Sequence, residues 1–215
     1  MSLADALADL IDHRSAGRRL LVGVDGPDAA GKTTLARAVA DCLLQPSLCV
    51  SIDEWHNPRE HRLRRGAESA EGYYLDSFDV DGLVAGCLAP FASGSRRIRT
   101  AGFDHVADAA VEMWQEVAAD AVLIVEGVFL LRPELCERWD LSVYLHVDDV
   151  VTLSRAVVRD LPVLGSEDEV RRRYARRYLP GQAIYREVAA PFDAADVLVD
   201  NTDPAQPRVL RWPER

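Results

Sequence analysis

The stretch that decides the reading runs Leu20-Leu21-Val22-Gly23-Val24-Asp25-Gly26-Pro27-Asp28-Ala29-Ala30-Gly31-Lys32-Thr33-Thr34, continuing Leu35-Ala36-Arg37-Ala38-Val39-Ala40. A short apolar run predicts a buried strand, the glycine-bounded segment a loop, and the residues after it a helix. Gly26 to Thr33 reads G-x-x-x-x-G-K-T, a loop that cradles the phosphates of a nucleoside triphosphate. Gly26 and Gly31 permit backbone angles and close approaches that a β-carbon would block. Successive N–H groups, including those of Asp28, Ala29 and Ala30, then face phosphate oxygens, and the helix adds its positive end. Lys32 supplies a point charge at the β- and γ-phosphates, and the Thr33 hydroxyl a ligand for Mg²⁺. Thr34 is open between an α-phosphate contact and a plain helical position. Lys32 is the only lysine in the chain, all other basic side chains except histidine being arginine.

Elsewhere in the chain, Leu48 to Asp53 and Ala121 to Gly127 predict strands ending in acids, and Leu141 to Val147 and Val197 to Asp200 predict two more. Helices are expected over residues 3–15, 80–91, 108–119 and 149–159, with a long Arg-rich helical stretch over 168–187. Residues 96–106 read as a weak strand or hairpin, and 54–79 as an irregular polar excursion with short helices. Strands alternating with helices imply an α/β fold, a mainly parallel sheet with helices on both faces. In such sheets ligands bind beyond the carboxyl ends of the strands. Glu126 and Asp53 stand there. Glu126 suits Mg²⁺, through water, and Asp53 suits a base that takes the proton of an attacking hydroxyl. Asp25 is open between a third acid and a turn residue.

Arg155 and Arg159 lie one helical turn apart and share a face. They predict cations around a transferring phosphate: Arg155 at the nucleotide, Arg159 in catalysis. The segment from about 160 to 180, with Gly165 at its tip, reads as an Arg-rich lid. Within it the run Arg171 to Arg173 cannot all face one way, so part of it belongs to a solvated, ion-paired face. Trp55, His56, Tyr73, Tyr74, Phe103 and His105 are the candidates for an acceptor pocket, since aromatic faces stack planar groups and histidine donates to oxygen.

The net charge of −10 argues against non-specific binding to nucleic acid or an anionic membrane. No apolar run reaches the roughly twenty residues of a bilayer span. Cys42, Cys49, Cys87 and Cys136 are widely spaced, without metal-site or disulfide patterning. They read as reduced thiols, and the location expected is cytoplasmic. The chain is expected to form a single domain over 1–215, and a homo-oligomer is compatible with it.

Taken in order, Gly26 to Thr34, Ser51-Ile52-Asp53-Glu54-Trp55, Asp76-Ser77-Phe78-Asp79, Phe103-Asp104-His105, Val125-Glu126-Gly127, Arg155 to Asp160 and Asp196 to Asn201 resemble the uridine kinase-like branch of phosphate-loop kinases. The resemblance covers residues of about 19–201 and implies a three-layer phosphate-loop NTPase fold with a five-stranded parallel sheet and a lid. It implies ATP and Mg²⁺ as cofactors and transfer of the γ-phosphoryl group to the 5′-hydroxyl of a nucleoside. Asp53 would be the activating acid, Glu126 the acid near Mg²⁺ and Arg159 a lid-region arginine. The sequence departs from that family on the acceptor side. Gly72-Tyr73 replaces a Phe-Asp pair that holds ribose, Ala107 or Asp108 stands near a base-reading histidine, and Leu164-Gly165-Ser166 replaces Arg-Gly-Arg. Arg173 takes the place of a glutamine that reads a pyrimidine. A kinase for another alcohol (nicotinamide riboside, pantothenate or a sugar) and a nucleotide-binding regulatory protein are the alternatives.

Overall fold

Strands β1 (Leu20–Asp25) and β5 (Val122–Gly127) are buried at every position and pair in parallel, Leu20 opposite Val122 through Asp25 opposite Gly127. This pair is the centre of the sheet. The computed structural model describes residues 1–213, and the last two positions of the expected 1–215 domain lie outside the described residues. Around the central pair stand β2 (Ser47–Ser51), β6 (Leu141–His146), β7 (Val197–Asp200) and β8 (Arg208–Arg211), in the order β2-β5-β1-β6-β7-β8. Five of these strands are parallel, and β8 pairs antiparallel with β7 at the edge. Among the described residues the sheet therefore has six strands where five are expected. The tail after Asn201 folds back to supply the sixth.

Alternation along the strands divides the core into two layers. Leu21, Leu123, Val125, Tyr144 and Leu198 face one side, where Leu83, Leu88, Phe91, Phe129 and Tyr185 cover them. Val22, Val24, Val122, Ile124, Val143, Leu145, Val197 and Val199 face the other. There α1 (Leu3–Ser15) contributes Leu7 and Ile11, and α2 (Lys32–Cys42) contributes Ala36 and Val39. α1 starts from a capping box between Ser2 and Asp5, which satisfies first-turn N–H groups that would otherwise lack partners.

The polar excursion after β2 holds a 3₁₀ turn (Ile52–Trp55), α3 (Arg59–Arg62) and α4 (Ala70–Asp76). Asp76, 0% exposed, anchors it by accepting from Arg64 at 2.6 Å and Arg65 at 2.8 Å. α5 (Val80–Leu83), a π turn (Val84–Leu88) and α6 (Ala89–Ala92) form one continuous helical run, as expected for 80–91. The helix expected over 108–119 is instead a strand. β4 (Ala109–Glu116) pairs antiparallel with β3 (Arg97–Asp104) in a separate hairpin. Ala, Glu, Met and Gln favour helix locally, but cross-strand pairing with β3 decides the outcome.

α7 (Asp149–Leu164) ends at Gly165, whose φ of 82° makes the left-handed turn that closes a helix. α8 (Glu167–Arg173), a π turn (Tyr174–Tyr178) and α9 (Leu179–Ala189) then run on, followed by α10 (Pro191–Ala194). Ala156, Val170 and Tyr174 form a small third core, separate from the two under the sheet. No helix is long and apolar enough to cross a membrane among the described residues. All four cysteines are free thiols.

Candidate active site

The parallel register puts the carboxyl ends of three strands side by side: Asp25 opposite Gly127, Val24 opposite Glu126, and Ser51 also opposite Glu126. The loops leaving these strands converge on one cleft of about 800 Å³. Its floor is the phosphate loop. Gly26 opens that loop, and a β-carbon there would sit 2.5 Å from the Leu145 carbonyl oxygen of β6. Gly31, at φ 91°, is the N-cap of α2 and places no side chain over the helix end. The first-turn N–H groups of α2 have no partner within the helix and point toward an anion's position. The loop carbonyls are held from outside: Asn201 Nδ2 donates to Ala30 O at 2.8 Å, and Arg155 donates to Ala29 O at 3.4 Å. Ala29 itself sits at φ 55°, a left-handed conformation costly for a residue with a β-carbon.

Lys32 is 8% exposed, and its Nζ donates to Pro27 O at 2.7 Å, folded back over its own loop. The Thr33 hydroxyl donates to Glu126 Oε1 at 3.1 Å. These two oxygens are a fitting start for Mg²⁺, which takes hard oxygen ligands and completes its shell with water and phosphate. No group of three or more His, Cys, Asp or Glu side chains suited to a metal occurs among the described residues, so phosphate oxygens would supply the rest. Asp53 stands on the 3₁₀ turn beyond β2, two residues past the strand's last residue, Ser51, rather than at the strand end expected for it. It is exposed, and its carboxylate accepts no hydrogen bond from the described residues. Its backbone carbonyl accepts from His56 Nδ1 at 2.9 Å, which leaves Nε2 as the acceptor of the neutral ring. Burial lowers the His56 pKa, so the ring is neutral at pH 7.

The other expected site residues divide. Asp28, Ala29, Ala30, Gly31, Thr34, His56, Tyr73, His105, Arg155, Arg159 and Arg173 line the cleft with Lys32, Thr33, Asp53 and Glu126. Trp55 and Phe103 do not, which corrects their reading as pocket walls. Trp55 is 1% exposed and packs in the core, with the Arg99 guanidinium 4.7 Å over its ring. Phe103 lies in β3 of the hairpin and is buried. Tyr74 is core as well, edge-on to Phe129. Asp25 is a buried structural acid and does not line the cleft.

Among the arginines, Arg155 clasps Asn201 O at 3.0 Å and Thr202 O at 2.9 Å besides the phosphate loop. Arg159 makes a forked pair with Asp160 at 2.6 and 3.0 Å and donates to the Tyr174 hydroxyl at 3.0 Å. Arg173 pairs with Glu169 at 2.6 Å on the cleft wall. Arg171 pairs with Glu167 and Arg172 with Glu169 and Glu68 outside the cleft, the solvated face expected for part of that run. Arg62, Phe78, Asp160, Tyr174 and Tyr178 also line the cleft, beyond the residues to which the sequence points. Tyr174 and Tyr178 lie one helical turn apart just after Arg173, and that spacing is the signal that marks them. Phe78 packs on His56 at 4.6 Å with the rings tilted by 49°, and His56 on His105 at 4.7 Å with a tilt of 33°, giving a stepped aromatic wall.

Three comparisons bear on this arrangement. A model of the phosphoribulokinase / uridine kinase family matches residues 21–203. A pantothenate kinase of Bradyrhizobium sp. is 26% identical over 209 residues, covering 87% of this chain and 65% of its own length. The chain thus spans just under two thirds of that relative. A uridine kinase of Latilactobacillus sakei is 24% identical over 163 residues, 75% of this chain and 76% of its own. The solved structure of a possible uridine kinase from Bacillus stearothermophilus superposes with a TM-score of 0.68 at 24% identity, over 90% of this chain and 98% of that one, which shows the shared fold. With its phosphate loop, Asp53 and Glu126 all falling inside the matched region, this chain belongs to the phosphoribulokinase / uridine kinase family.

Proposed function

We propose that the chain is an ATP-dependent kinase that transfers the γ-phosphoryl group to the hydroxyl of a small alcohol. The observation that carries this reading is the meeting, in one cleft, of Lys32, the Thr33–Glu126 oxygen pair and the unengaged carboxylate of Asp53. A protein that only sensed or hydrolysed nucleotide would not need an open pocket walled by His56, Phe78, His105 and Tyr73 next to that carboxylate.

Lys32 and the loop N–H groups would hold the β- and γ-phosphates, and Thr33 and Glu126 would hold Mg²⁺, which would supply charge to offset that of the phosphates. Asp53 accepts the acceptor's proton as its oxygen bonds to the γ-phosphorus. The bond from that phosphorus to the bridging oxygen breaks, and ADP leaves. Arg159 and Arg173 face the same space, and the segment of about 160–180 acts as a lid that excludes water. For Arg159 to reach phosphate, its fork on Asp160 must open or share.

A nucleoside 5′-hydroxyl is the first acceptor, since the His56–Phe78–His105 wall offers a face for a planar base. A carboxylate-bearing alcohol such as pantothenate is the second reading. It is favoured by Arg62, whose Nε is buried without a partner on the cleft wall, and by the pantothenate kinase relatives. The test is ADP release over nucleosides, sugars and pantothenate, with Lys32→Ala as blank. Turnover of uridine or cytidine supports the first acceptor, and turnover of pantothenate alone the second. ADP release that never depends on an acceptor would sink the kinase reading.

A further inference from the structure

Asp25 closes β1 immediately before the phosphate loop and is 1% exposed. Its carboxylate accepts from Gly26 N–H at 2.6 Å, from Leu131 N–H at 2.9 Å and from the Tyr185 hydroxyl. Tyr185 is fully buried, and its oxygen also accepts from Leu131 N–H at 3.1 Å. Three donors converging on one carboxyl group suit its ionised, acceptor-only form. Burying that charge is unfavourable, and the Asp25 pKa is pushed up to about 6 by burial, against these bonds and the charge of Lys32. Tyr144 of β6 is the other titratable group near it. A serine or asparagine could cap the Gly26 N–H without this cost. The placement of the partners gives a reason for the acid.

Gly26 is the first residue of the phosphate loop. Leu131 lies just past the strand that carries Glu126. Tyr185 lies on α9, in the helical run that also presents Arg173, Tyr174 and Tyr178 to the cleft. One carboxylate therefore joins the nucleotide floor, the segment after the Glu126 strand and the stem of the helix that walls the cleft. Tyr185 stands twelve positions beyond Arg173, about 18 Å along a helix at 1.5 Å per residue. A small change of angle at the stem becomes a larger displacement at the arginine, and misplacements near 1 Å can cost about a hundredfold in rate.

We propose that Asp25 and Tyr185 are a positioning pair that holds the helical run bearing Arg173, Tyr174 and Tyr178 in register with the phosphate loop. This role rests on the nucleotide-site reading. Neither residue touches the reacting atoms, and both act through the loop and the helix.

The experiment compares wild type, Tyr185→Phe, Asp25→Asn and the double variant in Mg·ATP binding by calorimetry. KM for ATP, KM for the acceptor, kcat and melting temperature are measured alongside. Tyr185→Phe removes only the hydroxyl, and it should weaken ATP binding by at least about fivefold, the low end of coupling between sites. kcat should fall as well, since Arg173 rides on the same helical run. The double variant should be no weaker than the weaker single, because both changes break one link. If Asp25→Asn does not fold, Tyr185→Phe alone decides. A folded Tyr185→Phe that binds ATP as wild type does, or single losses that multiply in the double variant, would overturn the pair. A wild-type chain that does not bind Mg·ATP would instead overturn the nucleotide-site reading.

Discussion

Asp53 reaches the cleft on a short 3₁₀ turn capped by Ser51, whose hydroxyl oxygen accepts from the Asp53 N–H at 3.3 Å. The turn rather than a strand carries it, so the side chain stands clear of the sheet and beside the acceptor wall. Replacing it with asparagine keeps the shape and removes the proposed base. Asp53→Asn is expected to reduce kcat by about 10²–10⁴-fold while Mg·ATP affinity survives. Acceptor-dependent ADP release close to wild type would remove Asp53 from its proposed role. The phosphate loop is legible in the sequence because its residues act locally: glycines, lysine and threonine at fixed spacing, between a strand and a helix. Trp55 is not, because nothing local says whether an aromatic side chain turns to the cleft or the core. Its contacts come from Arg99, Gly86 and Gly102, far along the chain. Arg159 shows a third case. Its helical position and its neighbour Asp160 are legible, but its engagement by Tyr174 depends on how the run that begins with α8 returns over α7.

Among the strands, β1 and β5 can be read from sequence because strands buried on both faces are continuous apolar runs. β4 cannot. Seven of its eight residues are exposed, and it has no buried face for periodicity to report. β8 is four residues between Pro207 and Pro213, also mostly exposed, and only its pairing with β7 makes it a strand. The junction between β5 and the Asp53 turn leaves no room for a side chain at Gly127. Gly127 sits at φ 153°, and a β-carbon there would lie 2.2 Å from Ile52 Cγ2. Gly127→Ala must push Ile52, and with it the turn that carries Asp53. It should destabilise the fold by about 1–3 kcal/mol, as overpacking does. In steady-state kinetics kcat should fall more than ATP affinity. An unchanged melting temperature and kcat would show that the turn is not wedged by this contact.

For the folded chain taken as one unit, Glu134 and Asp200, whose carboxyls Arg132 and Arg208 hold below the ordinary range, favour neutral pH, but Asp25 works the other way. Its folded pKa of about 6 lies above the ordinary 3.8, so the native state binds more protons than the unfolded chain between those values. Its contribution to stability therefore falls as pH rises through that window and recovers as pH drops. Wild type should gain stability relative to Asp25→Asn when melts are taken from pH 7 down to pH 4. A constant difference across that range would contradict the placement of the charge. Lys32 bears on the opening of the same fold. A lysine-specific endoprotease has a single susceptible bond in this chain, Lys32–Thr33, within the first turn of α2. That bond is cut only when the loop and the start of the helix open together, so the cutting rate reports how often the phosphate loop unfolds locally. Mg·ATP should slow the cut in proportion to occupancy, and one fragment beginning at Thr33, appearing on a gel, would time the opening of the site without any acceptor being known.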